Sequence, residues 1–101
     1  MRLMIMFDLP TETSEQRRNY RHFRKDLLKE GFFMMQYSVY VKVCTSRQSA
    51  KFTENRLTVL APKEGLVQSF MLTERQYQDM KFISGKKNDD VINSSDRTLI
   101  L

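Results

Sequence analysis

Tryptophan is absent from this 101-residue chain, cysteine and histidine occur once each, proline twice and glycine three times. The lone cysteine, Cys44, permits no intramolecular disulfide. A secreted domain this small usually carries such staples, so a reducing, cytoplasmic setting is expected. One histidine and one cysteine leave no His or Cys pair for a structural zinc site. The sequence also lacks a Gly-rich phosphate loop and a Ser nucleophile in a turn motif, which removes most nucleotide-dependent and acyl-transfer enzymes. The opening MRLMIMFDLP meets Asp8 and Pro10 after only a few apolar residues. That is too soon for a signal peptide or a membrane span, so no membrane partner is expected.

What is present points to a small folded domain with a cationic surface. Apolar residues make up 41% of the chain, enough for a packed core, and the length suits one core rather than two. Seventeen Lys and Arg against twelve Asp and Glu give a net charge of +5, a balance that favours polyanionic partners, nucleic acid first.

Along the chain, Leu3, Ile5 and Phe7 alternate with Met4, Met6 and Asp8, as on the two faces of a strand whose C-terminal end carries Asp8. Pro10 ends that strand, and Thr13 with Gln16 has the spacing of a capping box. A helix is therefore predicted from near Ser14 until Gly31 stops it. At 100° per residue Tyr20, Phe23 and Leu27 share one face and Arg17, Arg21, Arg24 and Lys25 another, with Arg18 and Lys29 at its margin and Leu28 the exception. Phe32 to Val43 alternates as a strand, kinked into two short ones. Ser46 caps a second predicted helix running to about Ala61, with Ala50, Leu57, Leu60 and Ala61 inward and Phe52 and Val59 outward. A strand over 66–72, a helical turn opened by Thr73 and Gln76, and a last short strand from Lys81 to Gly85 follow.

These elements predict an α+β, ferredoxin-like βαββαβ sandwich over residues 1–85, an antiparallel sheet with two helices on one face. Residues 86–101 read as a polar arm. Its final Thr98, Leu99, Ile100 and Leu101 form an extra C-terminal strand able to join a sheet edge, its own or a partner's.

Two features can carry chemistry. Asp8 is an acid at a strand end in a basic chain, a hard oxygen donor suited to Mg²⁺. Two-metal nucleases gather several acids, and a twofold homodimer would bring Asp8 together with its copy so that two carboxylates share one ion. The alternative is that Asp8 caps a turn or pairs with an arginine. The second feature is the basic helix face, Arg17, Arg21, Arg24 and Lys25 with Arg18 beside them, which suits phosphate oxygens and reads no sequence. Its alternative is a solvated face paired with Glu15, Asp26 and Glu30. A third possibility, an RNA-recognition-like or small-ligand-binding module without catalysis, is distant because GFFMMQYSV lacks the Gly-aromatic-Gly or Gly-aromatic-Ala step.

The strand ending FDLP, the helix SEQRRNYRHFRKDLLKEG, the segment QYSVYV and the later LTERQY with KFISG together resemble the Cas-two family of CRISPR adaptation proteins, over residues 1 to 85. The long polar arm is similar to members that accompany type II systems. The resemblance implies a ferredoxin-like homodimer that joins the Cas-one integrase and holds double-stranded DNA for spacer acquisition. It also implies a Mg²⁺-dependent endonuclease acting on RNA or DNA, with Asp8 as catalytic and metal-binding acid. By the same likeness Arg17 and Arg18 match the basic residues opening the first helix, and Tyr40 the aromatic closing SVY. Thr98 to Leu101 match a terminal strand that crosses to the other protomer or docks the integrase. Met34 and Met35 stand where some members carry a basic residue, a departure that implies weaker ribonuclease activity.

Overall fold

The computed structural model describes residues 1–85. Their order is β1 (Arg2–Asp8), α1 (Ser14–Lys29), β2 (Phe33–Gln36), β3 (Val39–Val43), α2 (Arg47–Leu60), β4 (Leu66–Leu72) and a single-turn α3 (Glu74–Gln78). All pairings are antiparallel and the strand order is β2-β3-β1-β4, the expected ferredoxin-like arrangement. Among the described residues no helix is long and apolar enough to cross a membrane.

The alternation of β1 builds two clusters, one on each face of the sheet. Leu3, Ile5 and Phe7 face the helices with Tyr40 from β3, Phe23 and Leu27 from α1, and Ala50 and Leu57 from α2. Met4 faces the other way with Val41, Leu72 and Tyr77, and Met6, Phe33, Met35 and Val39 pack around them half-buried. Phe7 anchors the first cluster, its ring 5.7 Å from Tyr20, 5.3 Å from Phe23 and 5.8 Å from Tyr40. Edge-to-face and offset contacts of that kind add to the apolar burial.

Local signals define the helix ends. Thr13 accepts from the Gln16 N–H at 3.0 Å while the Gln16 side chain accepts from the Thr13 N–H at 3.0 Å, a complete capping box. At the other end Gly31, at φ 96°, donates to the Leu28 carbonyl and Phe32 to that of Leu27. This is a Schellman motif closed by the burial of Phe32 and Leu27 in one cluster. The predicted kink is a two-residue turn at Tyr37 and Ser38, with a bulge between Met34 and Gln36.

Two expectations need correction. Leu60 is 44% exposed rather than inward; the buried stripe of α2 is Ala50, Thr53 and Leu57. The helix ends at Leu60 because Ala61 turns extended at ψ 142°. Thr53 takes the inward place because its hydroxyl donates to the Ser49 carbonyl at 3.3 Å and is thereby satisfied without water. Lys81 to Gly85 is not a strand, and all five residues are exposed. A strand exists through its ladder, and among the described residues none pairs with this segment. The additional strand expected at 98–101 lies outside the described residues.

Candidate functional site

Asp8 is the last residue of β1, exposed, and opposite Leu66 of β4. By alternation it shares a face with Met4 and Met6, the side of the sheet that neither α1 nor α2 covers. That face also displays Phe70 at 54% and Leu66 at 55% exposure, cross-strand partners of Met4 and Asp8. Among the described residues the Asp8 carboxylate enters none of the ion pairs, so the arginine-paired alternative is not what the structure shows. Its backbone is better fixed than its side chain, because Phe7 before it and Leu9 after it are both buried in the core.

An exposed carboxylate with both oxygens open is a fitting ligand for a hard divalent cation. One chain supplies only one: among the described residues no three His, Cys, Asp or Glu gather into a metal-sized group. The apolar surround of Asp8 is a surface that a second copy can cover, and a twofold copy brings a second Asp8. One chain therefore supplies a single fitting ligand, and a complete site would need a further carboxylate such as a twofold copy of Asp8 would bring.

On α1 the predicted basic residues are all exposed: Arg17, Arg18, Arg21, Arg24 and Lys25, with Lys29 beyond them. The acids that could have neutralised this face do not. Glu30 instead receives a forked contact from Arg56 of α2, with Nη2 at 2.7 Å and Nε at 3.0 Å. That hydrogen-bonded guanidinium holds the Glu30 carboxyl below its ordinary 4.5. The remaining ion pairs among the described residues, Arg2–Glu74 and Lys51–Glu54, use no α1 cation either. Arg17 differs from its neighbours, because Nη1 donates to the carbonyls of Thr11 and Glu12 at 3.0 Å each and so braces the loop between β1 and α1.

Other residues with aromatic, thiol or imidazole side chains fall into place plainly. Tyr40 is 1% exposed and stacked on Phe7, which makes it core. Cys44 is buried and burial pushes its thiol up, away from a reactive thiolate. His22 is exposed on α1. Thr98, Leu99, Ile100 and Leu101 lie outside the described residues.

Three features escaped sequence reasoning. Arg2 is 4% exposed, bonded through Nε to Glu74 at 2.7 Å, with its guanidinium 3.9 Å from the centre of the Tyr77 ring. This pins α3 against the sheet face that α1 and α2 leave open. Nothing near Arg2 in sequence announces a partner in α3. Ser38 takes φ 64°, uncommon for a side-chain-bearing residue, and Gly65 approaches the Asp8 backbone closely. Gly65 was visible only as punctuation after α2.

Comparison with known proteins places this geometry. Residues 1–80 match the family model described as CRISPR associated protein Cas2. The chain is 60% identical over 101 residues to a CRISPR-associated endoribonuclease Cas2 of Ligilactobacillus salivarius, with all of both chains covered. It is 54% identical, again over all of both chains, to a protein of the same name from Lacticaseibacillus rhamnosus. A third, from Streptococcus mutans, is 40% identical over all of this chain and 93% of its own. The crystal structure of Streptococcus pyogenes Cas2 covers 83% of this chain and 100% of its own with a TM-score of 0.63 at 21% identity, a likeness of fold. A family-model match over residues 1–80, full-length identity of this order and a ferredoxin-like sheet together make the chain a member of the Cas2, or Cas-two, family of CRISPR-associated proteins.

Proposed function

We propose that this protein is a homodimeric CRISPR adaptation factor of the cytoplasm that grips double-stranded DNA through α1 and works with the Cas-one integrase in spacer acquisition. The observation that supports it most is the state of the α1 cations. Arg18, Arg21, Arg24, Lys25 and Lys29 are exposed, and none is in an ion pair among the described residues. Unpaired guanidinium forks on one helix face suit successive phosphates and carry no base readout. Arg17 contributes charge while bracing the loop after Asp8.

The same reading includes phosphodiesterase chemistry, which the endoribonuclease names of the relatives support; its Mg²⁺ dependence and its placement at Asp8 are part of the proposal. Asp8 and its copy across a twofold axis would hold the ion. Bound there, Mg²⁺ would polarise a phosphoryl oxygen and lower the pKa of a water nucleophile. The chain's own part is to present one open carboxylate from a rigid strand end and to surround it with apolar surface that a second protomer covers. RNA is the first cleavage substrate to test. The arm over 86–101 would contact the integrase through Thr98 to Leu101.

Cleavage of RNA and of duplex DNA is to be measured with Mg²⁺ and with chelator, for the wild type and Asp8→Ala. Metal-dependent cleavage lost in Asp8→Ala is expected. Equal cleavage by both proteins would remove the catalytic half of the reading and leave the scaffold. Preference for single strands over duplex in a binding titration would favour the RNA-recognition alternative instead.

A further inference from the structure

The strand end that carries Asp8 is flanked on both sides by residues in left-handed backbone conformations. On the β3 side the Phe7 N–H donates to the Ser38 carbonyl at 3.0 Å, and Ser38 has φ 64°. On the β4 side Leu66 pairs with Asp8, and Gly65 just before it has φ 90°. A Cβ on Gly65 would stand 2.6 Å from the Asp8 carbonyl oxygen, 2.9 Å from Leu9 Cδ2 and 3.1 Å from Leu9 Cα. Two of those three atoms are backbone, so no side-chain rotation relieves the contact. The other described glycines differ. A Cβ on Gly31 would meet only the flexible end of Lys42, at 3.6 Å, and one on Gly85 would meet nothing within 4 Å.

We propose that Gly65 is a positioning residue for Asp8: lacking a Cβ, it lets the start of β4 close onto the Asp8 backbone and so sets where the carboxylate stands on the open sheet face. The inference rests on the reading of Asp8 as a metal ligand and deepens it. Relieving a 2.6 Å contact to ordinary van der Waals distance requires residue 65 and the Asp8–Leu9 backbone to separate by close to an ångström, and Asp8 takes up part of that shift. Ligand constellations tolerate only about 0.5 Å. In a site shared across a twofold axis both carboxylates move together, so the error is doubled. The positive φ adds a second constraint, since an L side chain at 65 is strained even where space exists.

Mn²⁺ is the probe, its free-ion electron paramagnetic resonance signal read in titrations of the full-length protein. The variants are Asp8→Ala, Gly65→Ala, Gly65→D-Ala and, as a destabilised control remote from Asp8, Leu57→Ala. Cys44 provides the junction for assembling the D-alanine chain by ligation. D-alanine accepts φ near that of Gly65 and carries its methyl on the other side of Cα.

Gly65→Ala is expected to weaken Mn²⁺ binding about ten- to a hundredfold, the usual effect of losing an outer support of a metal ligand. Gly65→D-Ala should restore wild-type affinity and Leu57→Ala should keep it. Wild-type affinity in Gly65→Ala would overturn the proposal, as would equal weakening in Gly65→Ala, Gly65→D-Ala and Leu57→Ala. If Gly65→Ala does not fold in buffer, trimethylamine N-oxide favours the compact state and the same comparison is made there. Failure of the underlying metal reading has a separate signature, undiminished binding by Asp8→Ala, and it would take this inference down with it.

Discussion

An aspartate at the exposed end of a strand carries little of the fold's stability, and Asp8 has no ion-pair partner among the described residues. Asp8→Ala should therefore change unfolding free energy by no more than about 0.5 kcal/mol, the usual range for such surface positions. It should nevertheless abolish metal-dependent cleavage. Denaturant titration beside the cleavage assay checks both halves. Phe7, one residue earlier, is the opposite case. Buried against three aromatic rings, it should cost about 3–5 kcal/mol when changed to Ala. Two carboxylates give stability a pH dependence of known sign. Hydrogen bonds from Arg56 and from Arg2 hold Glu30 and Glu74, respectively, below their ordinary 4.5. A carboxyl with a depressed folded-state pKa stabilises the native protein above its unfolded pKa and loses that contribution as pH falls through the folded one. Unfolding midpoints should thus fall as pH drops below 4.5, and less steeply in the double variant Glu30→Gln with Glu74→Gln. Identical pH profiles for the two proteins would contradict this.

At the scale of elements, α1 is held by its ends as much as by its buried face. Thr13→Ala removes the capping box and should cost about 1 kcal/mol in denaturant unfolding. The signals that made this helix legible are short-range: a threonine three residues before a glutamine, a period of Tyr20, Phe23 and Leu27, and a glycine at the stop. The same kind of signal located α2, β4 and α3. Lys81 to Gly85 misled because Phe82 and Ile83 imitate a strand's composition while pairing depends on a neighbour the local sequence does not specify. Leu60 misled because Thr53, polar by type, satisfies its hydroxyl within its own helix and occupies the inward stripe. The candidate site was legible to a similar depth. Asp8 and the α1 cations stood out by residue type and position. The Arg56–Glu30 fork, Arg2 on Tyr77 and the contact of Gly65 with Asp8 join elements far apart in sequence, and no periodicity encodes them.

On the scale of the whole molecule, the sheet has one face under helices and one largely bare, with Phe70, Leu66 and Val43 at least half exposed on the bare side. Exposed apolar area of this kind on a sheet face marks an association surface. The account expects a dimer by sedimentation equilibrium at micromolar concentration and a monomer of unchanged secondary structure for Phe70→Glu. The basic face of α1 lies on the opposite side of the sheet from that surface, so association through the bare face would leave the cationic helix of each copy open to DNA. Duplex affinity measured across a range of salt concentrations, for the wild type and for Arg18→Ala, Arg21→Ala and Arg24→Ala combined, tests this grip most directly. The account predicts a steep fall with salt for the wild type, and a slope shallower by about one unit for each phosphate contact removed in the variant. Equal affinity and equal slope in the two proteins would contradict it.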